Sequence, residues 1–242
     1  MLIAVIVNLP YDGGNLNKFP PSIVSKNTMK LYTYPAAPSP RRIDLFLAEK
    51  ALEIEQVHVD LRKGEHLKPE FAAINPALTV PVLLLDDGTS LCESVAICDY
   101  LESIKPEPVL IGASGLKRAL VIERNHWVES SGLTAVMEGF RNRSGAMLDH
   151  ALTGPRSVPQ IPELADRGVR RFGWFLADLD GLLRNSEFLA GPDFSMADIT
   201  ALVTIEFAAW GLKKDLPANL PALQRWHATV TKRPAIQSAG SA

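Results

Sequence analysis

The spacing of apolar residues changes about halfway along the chain. Between residues 31 and 104, short apolar runs of strand length alternate with segments in which apolar residues recur at helical spacing. The predicted strands are 31–34, 56–60, 82–85 and 89–92, and helices are predicted after the first, second and fourth of them. This βαβαββα order makes the first two strands a parallel pair, because crossovers of this kind are right-handed.

From residue 116 onward the pattern is helical only. The predicted helices cover 116–142, 163–185, 199–210 and 220–233, with a loop over 144–162. Ser195 is expected to cap the third of these helices with Asp198 as its partner in a capping box. A mixed half followed by a helical half predicts an α+β domain joined to an all-α domain. We assign residues 29–106 to the first domain, 107–116 to a linker and 117–242 to the second. Residues 1–28, rich in Gly, Pro and Asn, are expected to be a disordered or loosely docked extension.

The most specific signals lie between residues 75 and 102. Asp87-Gly88 between two β-prone runs predicts a hairpin with a two-residue loop. Pro81 begins the first of these strands, where it need not donate to the sheet, and the preceding bond is a candidate for the cis form. A cis bond would turn the backbone groups of Val80 toward a peptide-like ligand. Ser94 is expected at the start of the next helix, where N–H groups and the helix dipole attract a carboxylate. A hairpin that only shapes the core is the alternative.

Composition excludes several classes of function. The formal net charge of −2 among 242 residues gives no basic surface for nucleic acid or anionic membranes. No stretch reaches the roughly 18 apolar residues that a membrane helix needs. The two cysteines, Cys92 and Cys98, have no ligand spacing for zinc, so we expect small core residues in a reducing compartment. The expected partners are therefore small molecules or a second copy of the chain.

The segment NPALTVPVL, followed by a helix that begins ESVAI, resembles the glutathione-binding half of the thioredoxin-like domain of glutathione transferases. The capping box at Ser195 resembles that of the transferase C-terminal domain, so the resemblance covers about residues 29–235. It implies an α+β thioredoxin-like N-terminal domain, an all-α C-terminal domain, and a cytoplasmic homodimer that serves detoxification. Glutathione would be a substrate, the second substrate would be a small apolar electrophile, and no metal would be needed.

The resemblance also implies where glutathione binds. Val80 matches the residue whose backbone pairs with the cysteinyl part, and Pro81 matches the cis proline. Glu93 and Ser94 match the pair that holds the γ-glutamyl end. The glycyl carboxylate would be bound by a basic side chain of the loop after the second strand; the candidates there are His66 and Lys68.

The group that would activate the thiol departs from the family pattern. The usual serine or cysteine position falls on Ala37, whose side chain donates nothing. Ser39, expected to be an N-cap after which Pro40 begins the helix, is our first candidate, and Tyr34 at the end of the first strand is the second. Arg41 and Arg42 lie where the helix dipole disfavours cations. One of them would supply positive potential near a thiolate, and the other would form a salt bridge.

The second substrate is expected in an apolar cleft between the domains, lined by Met137, Phe140 and Arg141 together with Glu138. Three activities remain open on the sequence: transfer of glutathione to an electrophile, reduction of disulfides or peroxides with glutathione, and binding without catalysis. The vacant position at Ala37 keeps the third possibility open. The absence of Cys from PAAPSPRR argues against exchange chemistry with a protein thiolate.

Overall fold

The computed structural model describes residues 29–240. The predicted extension at residues 1–28 lies outside the described residues. The N-terminal part contains a four-stranded mixed sheet and three helices, and its elements are β1 (Lys30–Thr33), α1 (Pro38–Lys50), β2 (Glu55–His58), α2 (Pro69–Ala72), β3 (Val82–Leu84), β4 (Ser90–Leu91) and α3 (Ser94–Ile104). A short 3₁₀ helix, Glu65–Leu67, precedes α2.

The sheet order is β2-β1-β3-β4. Strands β1 and β2 are parallel, as predicted, and the pairs β1–β3 and β3–β4 are antiparallel. The register places Leu31 opposite Leu83, and both side chains are fully buried. The predicted strand boundaries are within two residues of those observed. The expected fold, a thioredoxin-like α+β domain followed by an all-α domain, is confirmed.

The hairpin loop differs from the prediction. Leu85 N–H donates to the carbonyl of Thr89 over 2.8 Å, and Gly88 N–H donates to the carbonyl of Leu85 over 3.0 Å. Three residues, 86–88, therefore lie between Leu85 and Thr89, the last hydrogen-bonded pair of the hairpin, whereas two were predicted. Gly88 has φ +86°, a value that glycine adopts without steric cost.

The C-terminal part is helical: α4 (Gly115–Trp127), α5 (Thr134–Arg141), α6 (Pro162–Leu183), α7 (Met196–Leu212), α8 (Pro221–Val230) and α9 (Pro234–Ser238). The predicted long helix exists as α4, a π-helical segment (Val128–Leu133) and α5 without interruption. The predicted last helix, 220–233, corresponds to α8, and a further short helix that was not predicted, α9, begins at Pro234. None of the helices in residues 29–240 is long and apolar enough to cross a membrane.

A capping box fixes the start of α7, as predicted. The buried carboxylate of Asp198 accepts hydrogen bonds from the N–H and hydroxyl of Ser195, both over 3.0 Å. It also accepts from Leu189 N–H over 3.0 Å and from the indole of Trp226 over 2.8 Å. One carboxylate thus joins α7, the preceding loop and α8 within the helical core.

One hydrophobic core runs through both parts of the chain. It includes Leu31 and Phe46 from the N-terminal part, and Phe175 and Trp226 from the C-terminal part. Cys98 is fully buried in it, and burial raises the pKa of its thiol well above the usual range. The two parts are packed against each other along α1, which contacts α7 and α9 and where the candidate site begins.

Candidate functional site

The segment before β3 is held in one conformation by its own side chains. Asn75 is buried, and its amide donates to the carbonyl of Thr79 over 2.9 Å while its oxygen accepts from Ala77 N–H over 3.0 Å. The Val80-Pro81 bond is cis, as the sequence suggested. Pairing of β3 with β1 begins only at residue 82, so Val80 lies just outside the sheet.

The start of α3 carries the second predicted element of the site. Ser94 is the first residue of α3 and is buried, whereas Glu93 before it is exposed. The first backbone N–H groups of a helix have no partner within it, and the dipole is positive at this end. The position predicted for Ser94, at a helix N-terminus, is therefore observed.

A single buried cation joins Ser94 to α1. Arg42 is 5 % exposed, and its Nη2 donates to Oγ of Ser39 and to Oγ of Ser94, each over 3.2 Å. Nη1 of the same guanidinium forms an ion pair with Glu129. The starts of α1 and α3 and one guanidinium thus converge on one point, and the partial positive charge of the two helix N-termini suits that point to an anion.

Glu129 lies in the π-helical segment of the long helix. The backbone there is widened, and the hydroxyl of Thr134 donates to the carbonyl of Glu129 over 2.8 Å. Such segments are frequent at functional sites. The ion pair between Arg42 and Glu129 connects the site to the C-terminal part of the chain.

The predicted N-cap role of Ser39 is wrong. Helix α1 begins at Pro38, so Ala37 is the N-cap residue, and no side chain caps the helix. Proline suits the first helical position because it has no N–H to satisfy, and Pro38 occupies that position before Pro40 can. Ser39 is the second helical residue, half-buried, and its hydroxyl contacts Arg42.

Tyr34, the other candidate activator, lies toward the edge of the sheet. Its ring packs against the imidazole of His58 on β2, with 5.4 Å between the ring centroids. The hydrogen bonds of Arg42 bring Ser39 and Ser94 together. They do not include Tyr34.

His66 and Lys68, the candidates for the glycyl end, differ in environment. Lys68 is exposed and lines a groove of about 470 Å³ between the sheet and α2. His66 is half-buried, and burial lowers its pKa; the charges of His150 and Arg141 lower it further. His66 therefore faces groups from the C-terminal part of the chain.

The residues predicted for the second-substrate cleft fall into three environments. Phe140 packs against Phe207 and Trp210, with ring centroids 5.3 Å apart in both pairs. Met137 is half-buried against the core. Glu138 forms salt bridges with two arginines of α6 and so links two helices. Arg141 donates a hydrogen bond to the carbonyl of Leu152 over 2.9 Å.

The aromatic group on α7 lies near the start of α1. Nε of Arg41 is 3.5 Å from the carboxylate of Glu206, so this turn of α7 is close to α1. Trp210 follows one turn later and is 53 % exposed. Its ring continues the surface formed with Phe140 and Phe207.

The sequence analysis did not find Glu129, His150, Glu206 or Trp210. It did flag Arg41 and Arg42, because cations near a helix start oppose the helix dipole. Both are buried and paired: Arg42 with Ser39, Ser94 and Glu129, and Arg41 with Glu206 and the C-terminal backbone. The unfavourable position of these two cations at a helix start was the only sign in the sequence that Arg41 and Arg42 pair with residues far away along the chain.

Comparison with known proteins identifies the family of the chain. The glutathione S-transferase N-terminal domain family matches residues 31–109, and the C-terminal domain family matches residues 170–238. Glutathione S-transferase 2 of Saccharomyces cerevisiae is 35 % identical over 217 residues, covering 88 % of this chain and 89 % of that protein. The chain belongs to the glutathione S-transferase superfamily.

Two further relatives bear on the activity. The crystal structure of a glutathione S-transferase domain-containing protein from Marinobacter aquaeolei VT8 superposes with a TM-score of 0.79 at 37 % identity, covering 86 % of this chain and 99 % of that one. Disulfide-bond oxidoreductase YfcG of Escherichia coli K12 is 29 % identical, covering 86 % of this chain and 93 % of that protein. The family expected from the sequence is confirmed.

Proposed function

We propose that this protein conjugates the thiolate of glutathione to electrophilic, apolar small molecules. The observation that carries the proposal is the contact of Arg42 with both Ser39 and Ser94, where the starts of α1 and α3 meet. A site of this kind supplies two things at once: donors for a carboxylate and a positive potential beside a sulfur atom.

In the proposed complex, the γ-glutamyl carboxylate binds the hydroxyl and N–H of Ser94, and Glu93 orients the amino group. The backbone of Val80, held next to Pro81, pairs with the cysteinyl part. His66 or Lys68 binds the glycyl carboxylate. The burial of Ser94 and the rigid turn at Asn75 support this arrangement, because both groups are in place before the ligand arrives.

The chemical step requires thiolate at neutral pH. A free thiol with a pKa near ~8.5 is only a few per cent ionised at pH 7. The hydroxyl of Ser39 accepts from Arg42 and so keeps its own hydrogen for the sulfur. The thiol proton leaves to solvent, the sulfur forms a bond to carbon, and the electrophile either loses a leaving group with its electron pair or takes up a proton.

Apolar electrophiles are supported by the aromatic group of Phe140, Phe207 and Trp210. Its exposed member, Trp210, offers a ring face near the start of α1. Met137 and Arg141 complete the cleft proposed for the second substrate. Planar, partly aromatic compounds fit a surface of this kind.

The test is a pH titration of the ultraviolet thiolate absorbance of bound glutathione. For the wild type we expect a thiol pKa at least one unit below ~8.5, and for Ser39→Ala a return toward that value. Ser103→Ala, an exposed serine on α3, is the matched control. A lowered pKa that survives Ser39→Ala and disappears in Tyr34→Phe would move the role to Tyr34. Bound glutathione without any lowering would contradict transfer and leave a binding protein.

A second candidate is reduction of disulfides or peroxides, with glutathione as the only thiol. Similarity to the relative named Disulfide-bond oxidoreductase YfcG favours it. Parallel assays with a model electrophile, a small disulfide and a hydroperoxide separate the two. Turnover of the disulfide or the hydroperoxide without conjugation of the electrophile would overturn our proposal.

We also expect a cytoplasmic homodimer. Leu116 and Leu120 lie one turn apart on α4 and are 75 % and 37 % exposed, which supports a contact between two copies. Light scattering after size exclusion would give the mass, and a monomer at micromolar concentration would contradict this expectation.

A further inference from the structure

A cavity lies between α1, the turn that leads from α1 to β2, and the end of α9. Its volume is about 740 Å³. Ser39, Val80 and Ser94 do not belong to its lining, so the cavity is separate from the proposed glutathione site. Cavities of this size hold small organic molecules.

One wall of the cavity is apolar. It is formed by Leu47 and Ala48 of α1 and by Leu52 and Ile54 of the turn. Leu47 is buried, and the other three side chains are half-buried. This wall therefore offers aliphatic contact to a ligand that has an apolar body.

The carboxyl group of Asp44 also lines the cavity. Asp44 is half-buried, and burial raises its pKa to about 6. Among the described residues, its side chain accepts one hydrogen bond, from Nε2 of Gln56 over 3.5 Å, which is long for such a bond. At neutral pH, Asp44 is therefore a carboxylate that is partly removed from water and has one weak donor.

The neighbouring cation, Arg41, is engaged elsewhere. Its Nη1 and Nη2 donate to the carbonyls of Ala239 and Gly240, and its Nε lies 3.5 Å from the carboxylate of Glu206. Its charge opposes the rise in the pKa of Asp44 without cancelling it. Within residues 29–240, no cation forms a salt bridge with Asp44. The carboxylate in the cavity thus lacks a counter-ion from these residues.

We propose that this cavity binds a small organic amine, with the ammonium group on Asp44 and the apolar body against Leu47, Ala48 and Leu52. An ammonium group brings three N–H donors and a full positive charge, which are what the Asp44 carboxylate lacks. Glu53, exposed in the same lining, adds a second negative charge. The inference does not depend on glutathione or its transfer.

Nuclear magnetic resonance titrations of the full chain at pH 7.5 test the cavity with three probes of similar shape: benzylamine, benzyl alcohol and benzoate. The backbone amide signals of Ala48 and Ala51 report binding in the cavity, because both residues line it. We expect benzylamine to bind about tenfold more tightly than benzyl alcohol, since a hydrogen bond to a charged group is worth about 1.5 kcal/mol or more. Benzoate should bind no more tightly than the alcohol.

A preference for benzoate would show that Arg41 governs the cavity and would overturn the proposal. Equal binding of benzylamine and benzyl alcohol would overturn it as well. So would benzylamine shifts at Ala48 and Ala51 that vanish when saturating glutathione is added, because the two compounds would then share one site.

Asp44→Asn should reduce the preference for the amine to about twofold or less, because the amide keeps the shape of the carboxylate without its charge. Glu53→Gln, a matched change at an exposed position of the same lining, should alter it by less than about twofold. Ala48→Leu, which fills part of the cavity, should weaken benzylamine and benzyl alcohol alike, and thermal unfolding identifies any variant that does not fold. A preference that survives Asp44→Asn, or unchanged binding in Ala48→Leu, would overturn the proposal and leave the proposed function standing.

Discussion

Nη2 of Arg42 donates to Oγ of Ser94 over 3.2 Å, and this bond joins the beginning of α1 to the first residue of α3. Both residues are buried, and each is 5 % exposed. The bond therefore links the starts of two helices. The remaining contacts of Arg42, to Ser39 and Glu129, fix its own position.

Replacement of Arg42 by lysine should weaken glutathione binding about tenfold. An ammonium group keeps the charge but lacks the planar fork with which the guanidinium contacts two hydroxyls and a carboxylate. Titration calorimetry gives the dissociation constant. Arg118→Lys, in a pair with Asp99 that is more exposed, is the control and should change it by less than twofold. An unchanged constant in Arg42→Lys would mean that this contact does not organise the site.

Replacement of Ser94 by alanine should also raise the dissociation constant for glutathione about tenfold, since it removes one hydrogen bond to a charged group, worth about 1.5 kcal/mol. Ser103→Ala removes a hydroxyl from the exposed end of the same helix and should leave binding unchanged. Titration calorimetry gives the dissociation constant of glutathione for both variants. Equal effects of the two substitutions would argue against a direct contact between Ser94 and the ligand.

Replacement of Asp198 by asparagine should lower the free energy of unfolding by about 3 kcal/mol. The carboxylate accepts four hydrogen bonds, two at each oxygen, and an amide would face two of those donors with its own NH₂ group. Urea denaturation measures the loss, and thermal unfolding should shift down by about 6–12 °C. Asp193→Asn, exposed and five residues earlier, is the control. A change below about 1 kcal/mol would show that these bonds contribute little.

The raised pKa of Asp44 should make the stability of the folded state depend on pH. Burial raises its pKa to about 6, against the opposing charge of Arg41. Between the unfolded value near ~3.9 and 6, the native state binds more protons than the unfolded state, so stability falls as the pH rises through this range. The full shift corresponds to about 3 kcal/mol, which solvent screening of this partly exposed group reduces to about 1 kcal/mol.

Urea denaturation at pH 4.5 and pH 7 tests the effect of Asp44. Asp44→Asn should lose about 1 kcal/mol less than the wild type between these two pH values, because its amide does not titrate. Asp178→Asn, an exposed carboxyl on α6, should keep the wild-type difference. Identical pH dependence in Asp44→Asn and the wild type would contradict the raised pKa.

Local signals in the sequence were sufficient for much of the N-terminal site. The turn at Asn75, the proline at 81 and the helix start at Ser94 lie within 20 residues of one another, so short-range propensities determine them. The capping box at Ser195 could also be predicted from the sequence, because its partner, Asp198, is only three residues away. The error at Ser39 arose where two prolines, Pro38 and Pro40, each suit the first helical position.

Other parts of the site depend on contacts between distant residues. Arg42 and Glu129 are 87 positions apart, and no periodicity in either helix shows that they meet. The π-helical segment that contains Glu129 could not be predicted from the sequence either, because one extra residue in a turn leaves the apolar pattern of a long helix almost unchanged. The loop after α5 brings Gly154 next to the carbonyl of Ala77, which lies 77 positions earlier, and no local pattern in the sequence predicts that contact.

The contacts of Arg41 with the C-terminal backbone can form only late in the synthesis of the chain. This buried guanidinium donates to the carbonyls of Ala239 and Gly240, which follow it by 198 and 199 residues. At about 5–20 residues per second, a ribosome needs roughly 10–40 s to synthesise the chain between them. During that interval the N-terminal domain can fold, but Arg41 lacks these two acceptors. The start of α1 therefore receives its final set of contacts only after the C-terminal helices have been translated.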